Sequence, residues 1–499
     1  MQLHQRSLWS SLLVFILCWL FLMCGQPAFA ADSDDLIFIP RQAQSVLKLN
    51  QPPSSDPLHF LVERFWTSQL AHWGLSWSEI NDWVGEGVTL AQFPCPEACS
   101  SPRQLWILPL KRLGAATAFW ETYWQGHPFE VQVYQNIPLQ VGKDLVTARL
   151  GDRLLLASDV ETMTASLGAA VTADGHLAGL TFYQVARPQL EAEPTALYYV
   201  NLQSLSSEGR QLAPTYDRLL LAVKAQANEL HLQMLLHRTS DATLASDPFD
   251  LEFLRFPEPI PTVVVAGAHL PEGYSQLTAA LADYRFGKTP QGDDIVSPLL
   301  QDLTADIPVD LTSQIFPLAS DRFCLALWYL ADKHWQWLWQ TTHTPETATL
   351  LHQLDDLARA NGYEVNRLVL DKEPVTAWVK LMLDPQTRTG LVSDVAAAYG
   401  QRGDRLILAS SLSVFSQHQS KKLSWLPEHL LRQRQGIHGL VYARWPQLFA
   451  PLSQRWPLLQ YLNGITAGWL ERLQSLTLVN YGVRDRLQHL ELILSSKNA

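Results

Sequence analysis

Gly151-Asp-Arg-Leu-Leu-Leu-Ala-Ser158 recurs as Gly403-Asp-Arg-Leu-Ile-Leu-Ala-Ser410, with Leu155 replaced by Ile407. Each copy follows a stretch that reads as a strand, residues 145–150 in the first and, more weakly, 395–400 in the second. Gly-Asp is a hairpin-turn pair, the apolar residues after it continue as a second strand, and the closing Ser can start a helix. The octapeptide therefore predicts strand, tight turn, strand and helix, twice in one chain.

The same order of elements surrounds both copies. Ahead of the first come strand 45–49, a helix carrying Leu58, Leu61, Val62, Phe65, Trp66 and Leu70 at helical spacing, a turn and a strand within 83–91, strand 104–110, helix 115–124 and strand 129–134. Behind it come helix 159–170, capped by Ser158 or Asp159, strand 196–202, a helical stretch near 205–212, and a hairpin with arms 219–226 and 230–237. In the second half, 262–266, 323–328, 335–339, 345–360, 364–365, 439–445 and the pair 476–482 and 487–495 follow the same succession. The separation of matched segments drifts between roughly 215 and 260 residues, as loop insertions between diverged copies produce. The expected fold class is α+β, as two tandem homologous repeats, each a largely antiparallel sheet with helices packed on one face. Residues 31–240 form the first repeat, 241–261, where periodicity gives way to Asp, Ser and Pro, a linker, and 262–499 the second.

Residues 1–30 stand outside that fold. Arg6 is their only charge, 12–23 is an unbroken apolar run, and Ala28-Phe29-Ala30 is a small-x-small site, which together predict a secretory signal peptide cleaved after Ala30. The rival reading is a retained anchor that keeps the protein membrane-associated; the run is short against the roughly 20 residues that span a bilayer. A lipoprotein reading at Cys24 meets Met23 where a small residue is wanted. Removing residues 1–30 takes away one Arg and no acid, so the formal charge of −11 becomes −12. Such a chain is not expected to bind nucleic acid.

In an exported protein, Cys95 and Cys99 of Cys95-Pro-Glu-Ala-Cys99 read as a disulfide pinning a hairpin loop, and Cys324, in the apolar run 323–328, as a buried free thiol. No catalytic, cofactor-binding or metal-ligating set is expected. Ala282-Asp-Tyr-Arg-Phe-Gly-Lys-Thr289 lacks the first glycine and the preceding strand of a phosphate loop, so no nucleotide is expected. His231 with His237, and His334 with His343, have neither a carboxylate nor a third ligand at a characteristic spacing.

The run from Phe38-Ile-Pro40 through Trp83-Val-Gly-Glu-Gly-Val-Thr-Leu-Ala91 to the Gly151 octapeptide and Leu197-Tyr-Tyr-Val200 resembles the largely cyanobacterial family called domain of unknown function 3352. One departure is Gly87, where the resemblance leads one to expect a second acid after Gly85-Glu86. The resemblance brings no activity with it. It implies an exported protein facing the periplasm or the thylakoid lumen, where a role in assembling envelope or photosynthetic complexes would fit.

Tryptophan stands above background. Trp335, Trp337 and Trp339 point to one face of a strand, and Trp120 and Trp124 share a helix face. They read either as core, where helix meets sheet, or as an apolar binding surface. Function is accordingly expected to be non-enzymatic binding of a protein partner or a membrane surface. A carrier of a hydrophobic small molecule such as a lipid or pigment is the first alternative, and a hydrolase without a recognisable motif the second.

Overall fold

The computed structural model describes residues 34–49, 59–94, 103–172, 174–191, 193–205, 216–226, 228–239, 251–257, 259–269, 315–319, 321–329, 335–370, 372–383, 391–419, 423–425, 436–455 and 469–497. Residues 1–30, the Cys95–Cys99 pair and the 282–289 stretch lie outside the described residues. The chain divides into two compact units, one of residues 1–241 with 484–499, the other of residues 242–483.

The first unit contains β1 (Ser45–Leu49), β2 (Val88–Phe93), β3 (Arg103–Pro109), β4 (Glu130–Tyr134), β5 (Ile137–Val141), β6 (Val146–Leu150), β7 (Arg153–Ala157), β8 (Ala196–Asn201), β9 (Tyr216–Gln226) and β10 (Glu229–Arg238). The second contains β11 (Arg255–Pro257), β12 (Val263–Ala268), β13 (Arg322–Tyr329), β14 (Trp335–Thr342), β15 (Glu364–Leu370), β16 (Glu373–Leu383), β17 (Leu391–Arg402), β18 (Arg405–Ala409), β19 (Leu423–Trp425), β20 (Gly439–Arg444) and β21 (Leu473–Arg484). The last strand, β22 (Leu487–Ser496), pairs along β10 and belongs to the first unit.

Ladder by ladder, the first unit reads β4-β5-β6-β7-β3-β2-β1-β8-β9-β10-β22, every step antiparallel. The second reads β15-β16-β17-β18-β14-β13-β12-β20-β21, again antiparallel throughout. Within each unit the described strands thus form a largely antiparallel sheet, while β11 and β19 pair apart. Those last two show that the segment read as a linker carries structure of its own, a 3-10 turn at Leu251–Leu254 followed by β11.

The glycine, the apolar residues and the serine of the octapeptide do the same local work in both copies. Gly151 and Gly403 have φ of 59° and 63° and stand first in two-residue hairpin loops, where a residue with a Cβ would be strained. Leu155 and Ala157 enter one core with Ile107 and Met163, and Ile407 and Ala409 enter another with Leu338 and Phe415. Between them, Leu406 and Leu408 point the opposite way, into a separate core with Trp339 and Leu354.

At the end of β7, the amide of Ser158 donates to the carbonyl of Gln104 (3.0 Å) and its hydroxyl accepts from the Gln104 amide (3.1 Å). Ser410 makes the same pair of bonds to Trp337, both at 3.0 Å. The helix cap is the next residue: Asp159 accepts from the Thr162 amide (2.8 Å), and Ser411 from that of Val414 (3.2 Å).

The sheet is buried on both faces in each unit, which corrects the expectation of helices on one face. In the first unit, α1 (His59–Leu70) lays Trp66 on Trp106 of β3, with ring centroids 4.9 Å apart. The aromatic layer extends to α2 (Leu113–Gly126), while α3 (Val160–Ala170) covers the other face with Met163 and Leu167. In the second unit, α4 (Pro345–Ala360) brings Leu351, Leu354 and Ala358 to one face, and α5 (Leu412–Gln419) brings Val414 and Phe415 to the other. The physical reason is legible in the octapeptide, whose unbroken apolar run marks a strand packed on two sides.

Asp159 is held by more than its cap. Burial alone would raise its pKa, yet the Thr162 amide, the hydroxyls of Ser158 and Thr162, and Arg103 outweigh burial and keep the carboxyl below its ordinary value. A depressed carboxyl contributes stability that is present above its unfolded pKa and lost as pH falls through the folded one. Asp159→Ala is expected to cost about 1 kcal/mol at neutral pH, a difference from wild type that shrinks on acidification; paired urea melts at neutral and acid pH measure it.

Candidate functional site

The five tryptophans singled out in the sequence are not an open surface. Trp337 and Trp339 are buried with Phe316, Phe323 and the apolar side of α4, and Trp120 and Trp124 are buried in the aromatic layer between Trp83 and Phe129. Only Trp335, at the start of β14, is half-buried, packed on Tyr329 at 4.9 Å. Large aromatics at the seam between helix and sheet fill space that smaller side chains would leave void. Cys324 is likewise fully buried and free, and burial pushes its thiol pKa up, which suppresses the reactive thiolate. Gly87, the departure from the expected second acid, has φ of 81°, a conformation that favours glycine.

His231 and His237 have carboxylate partners in the fold. His231 Nδ1 lies 3.4 Å from Oε1 of buried Glu491 on β22, and its Nε2 lies 3.2 Å from Glu229. His237 Nδ1 lies 2.6 Å from Asp217. His343 contacts the hydroxyl of Thr347, which forms the capping box of α4 with Thr344, and His334 is outside the described residues. Among the described residues no group of three His, Cys, Asp or Glu side chains is arranged to hold a metal. A shallow open depression lined by Arg41, Gln42, Thr172, Asp174 and Gly175 is built from loop residues beside the end of α3.

The polar set on β10 and β22 responds to pH. The hydrogen bond to Glu491, opposed by burial and reinforced by Glu229, raises the pKa of His231. Its contribution to stability is therefore fully present below the unfolded value near pH 6.5 and is lost as pH rises through the folded value. Burial lowers the pKa of His489, so protonating that residue opposes folding on the acid side. His231→Gln is expected to lower the melting temperature more at about pH 5.5 than at about pH 8, and equal losses at the two would overturn the assignment.

The feature that sequence reading missed is an apolar arm. Beyond Val379, β16 has no partner in β15, and on β17 the pairing with β18 begins only at Ala398. Among the described residues, Lys380–Leu383 and residues 391–394 therefore pair only with each other, with Leu383 opposite Leu391 and Met382 opposite Val392. By strand alternation Leu381, Leu383 and Leu391 occupy one face and Met382 and Val392 the other. All five are exposed, the three leucines at 61%, 66% and 68%. At the arm's base the Lys380 ammonium lies over the Tyr363 ring, 5.4 Å from its centroid. Strand β4 carries a second set of exposed apolar residues, Val131 and Val133, beside Phe129.

A family model described as "Protein of unknown function (DUF3352)" matches residues 11–496. The chain belongs to DUF3352. No curated protein matches this DUF3352 chain. Among solved structures, "Structure of crystal form I of TP0453" aligns with 43% of the chain and 82% of its own length, at 13% identity and a TM-score of 0.28. "Structure of crystal form III of TP0453" aligns with 43% and 84%, at 12% identity and a TM-score of 0.29. At those scores the similarity carries no argument about fold or function. No helix among the described residues of this DUF3352 member is long and apolar enough to cross a membrane.

Proposed function

We propose that this DUF3352 chain is an exported, non-enzymatic binding protein of the periplasm or thylakoid lumen. It is built as two tandem α+β repeats and engages a protein partner or a membrane surface through the arm of β16 and β17. The observation that carries this reading is the arm itself, five apolar side chains exposed on a ribbon with no ladder neighbour among the described residues. Export is supported by the composition of residues 1–30, and duplication by the octapeptide and by the matching succession of ladders in the two units.

Under that reading, β5 and β6 occupy in the first repeat the place of β16 and β17 in the second. They are five residues each, against eleven and twelve, and end where the ladder to their neighbours ends. The arm is thus an addition that the shared fold does not require. Moving a leucine that is about two-thirds exposed into an apolar medium gains roughly 1–2 kcal/mol, so three supply enough for association.

The test is fractionation of the protein from its own cells. Wild type is expected with membranes or in a larger assembly. Leu381→Ser/Leu383→Ser/Leu391→Ser is expected in the free pool with its melting temperature nearly unchanged, since exposed substitutions of this kind shift stability by about 0.5 kcal/mol or less. Identical fractionation of the two would remove the arm from the proposal, and an intact mass that begins at Met1 would remove cleavage after Ala30.

A further inference from the structure

We infer that what covers the arm is the interfacial zone of a lipid bilayer, an inference that rests on the arm being the binding element. Both faces of the ribbon are apolar, Leu381, Leu383 and Leu391 on one and Met382 and Val392 on the other. A groove in a partner protein shields one face of such a ribbon and leaves the second in water, whereas a bilayer surrounds both.

Area argues the same way. A stable interface between proteins buries about 1,200–2,000 Å² and draws on some 20–30 residues a side, and the unpaired part of the arm has four residues on each strand. A second copy of the chain docking through this feature alone falls well short of that. Membrane association needs only a few side chains to transfer.

Depth is bounded by the backbone. A two-stranded ribbon leaves the outward amides and carbonyls of both strands without ladder partners, and each such group costs several kcal/mol in hydrocarbon. The arm therefore stops at the boundary between headgroups and acyl chains, where water and headgroups satisfy those groups. Four residues of strand reach about 13 Å, enough for the roughly 5–10 Å to which interfacial elements enter. At the base, Lys380 over Tyr363 combines the two side-chain types that anchor at that level, a cation on an apolar stem and an amphipathic ring.

Charge identifies the kind of lipid. The chain carries −11 overall, but the described residues of the arm hold one cation, Lys380, against one acid, Asp394, and are neutral. The arm needs no anionic headgroup, and its binding to zwitterionic or uncharged lipid is indifferent to salt.

The experiment uses the full chain with Cys18, Cys24, Cys95 and Cys99 replaced by Ser and an environment-sensitive fluorophore on Leu383→Cys, labelled under native conditions in which Cys324 is buried. A second protein is labelled at Val133→Cys, on the exposed apolar face of β4. Phosphatidylcholine vesicles are expected to blue-shift the probe at 383 and not the one at 133. Lipids brominated near the headgroup should quench it more than lipids brominated at the chain ends, and high salt should leave the titration within about twofold. Leu381→Ser/Leu391→Ser in the labelled chain is expected to raise the lipid concentration at half-saturation at least tenfold, as a loss of about 1.4 kcal/mol or more requires. A probe at 383 that ignores vesicles but shifts as protein concentration rises overturns the lipid inference and leaves a binding arm. A probe that ignores vesicles, concentration and its native membrane fraction alike overturns both.

Discussion

Trp339→Ala is expected to destabilise the second unit by about 3–5 kcal/mol, the range for removing a fully buried aromatic. Trp339 is 1% exposed, pairs with Leu408 across the ladder from β14 to β18, and lies nearly parallel to two rings, Phe316 at 6.2 Å and Phe323 at 5.6 Å. Truncation opens a cavity between the sheet and α4, whose Leu351 and Leu354 line the same core. A rigid sheet on one side and a 16-residue helix on the other leave little room to collapse. Trp106→Ala is expected to do the same to the first unit, since Trp106 faces Leu156 in the matching ladder and touches Trp66 and Trp73. Guanidinium melts give the size of each loss, and peptide-resolved hydrogen exchange assigns it to a unit. A loss below about 1.5 kcal/mol at either position would mean that the core repacks around the void.

That pair of residues also shows how far the fold could be read in the chain. The octapeptide predicted strand, turn, strand and helix in both places, and both are there, because glycine at positive φ, a short apolar run and a capping side chain are local requirements that one sequence states completely. Two-sided burial is equally written in Leu154-Leu-Leu-Ala157, an unbroken apolar run that leaves neither face of the strand polar. Strand β5 went unmarked because Pro138 breaks the pattern of Ile137-Pro-Leu-Gln-Val141.

The candidate site was beyond reach for a different reason. Leu381-Met-Leu383 has the composition of any core strand, and only the ends of the ladders with β15 and β18 reveal that this stretch runs past its neighbours. The same holds for His231, whose partner Glu491 lies 260 residues away. Tryptophan drew attention instead because it is conspicuous in sequence, and the same size that makes it conspicuous makes it core.

Arg153→Met is expected to cost about 3 kcal/mol. Arg153 donates from Nε to Oδ1 of Asp35 at 2.6 Å, and Asp35 is fully buried in the 3-10 turn Asp34–Phe38 that leads into the first unit. Methionine keeps the length of the side chain and removes the charge, so the variant leaves a buried carboxylate without its guanidinium, the costly way to break an ion pair. At the matching position of the other octapeptide, Arg405 lies over the ring of Phe253, 4.4 Å from its centroid, in the 3-10 turn Leu251–Leu254 that leads into the second unit. The same Arg thus meets the same kind of segment in both units. Asp35→Asn in the Arg153→Met background is expected to recover more than half of the loss, because the carboxylate charge goes with it. Thermal melts of wild type, Arg153→Met and the double variant decide the matter. No recovery from Asp35→Asn would mean that Arg153 acts through its apolar stem and that the buried carboxylate is held by other groups.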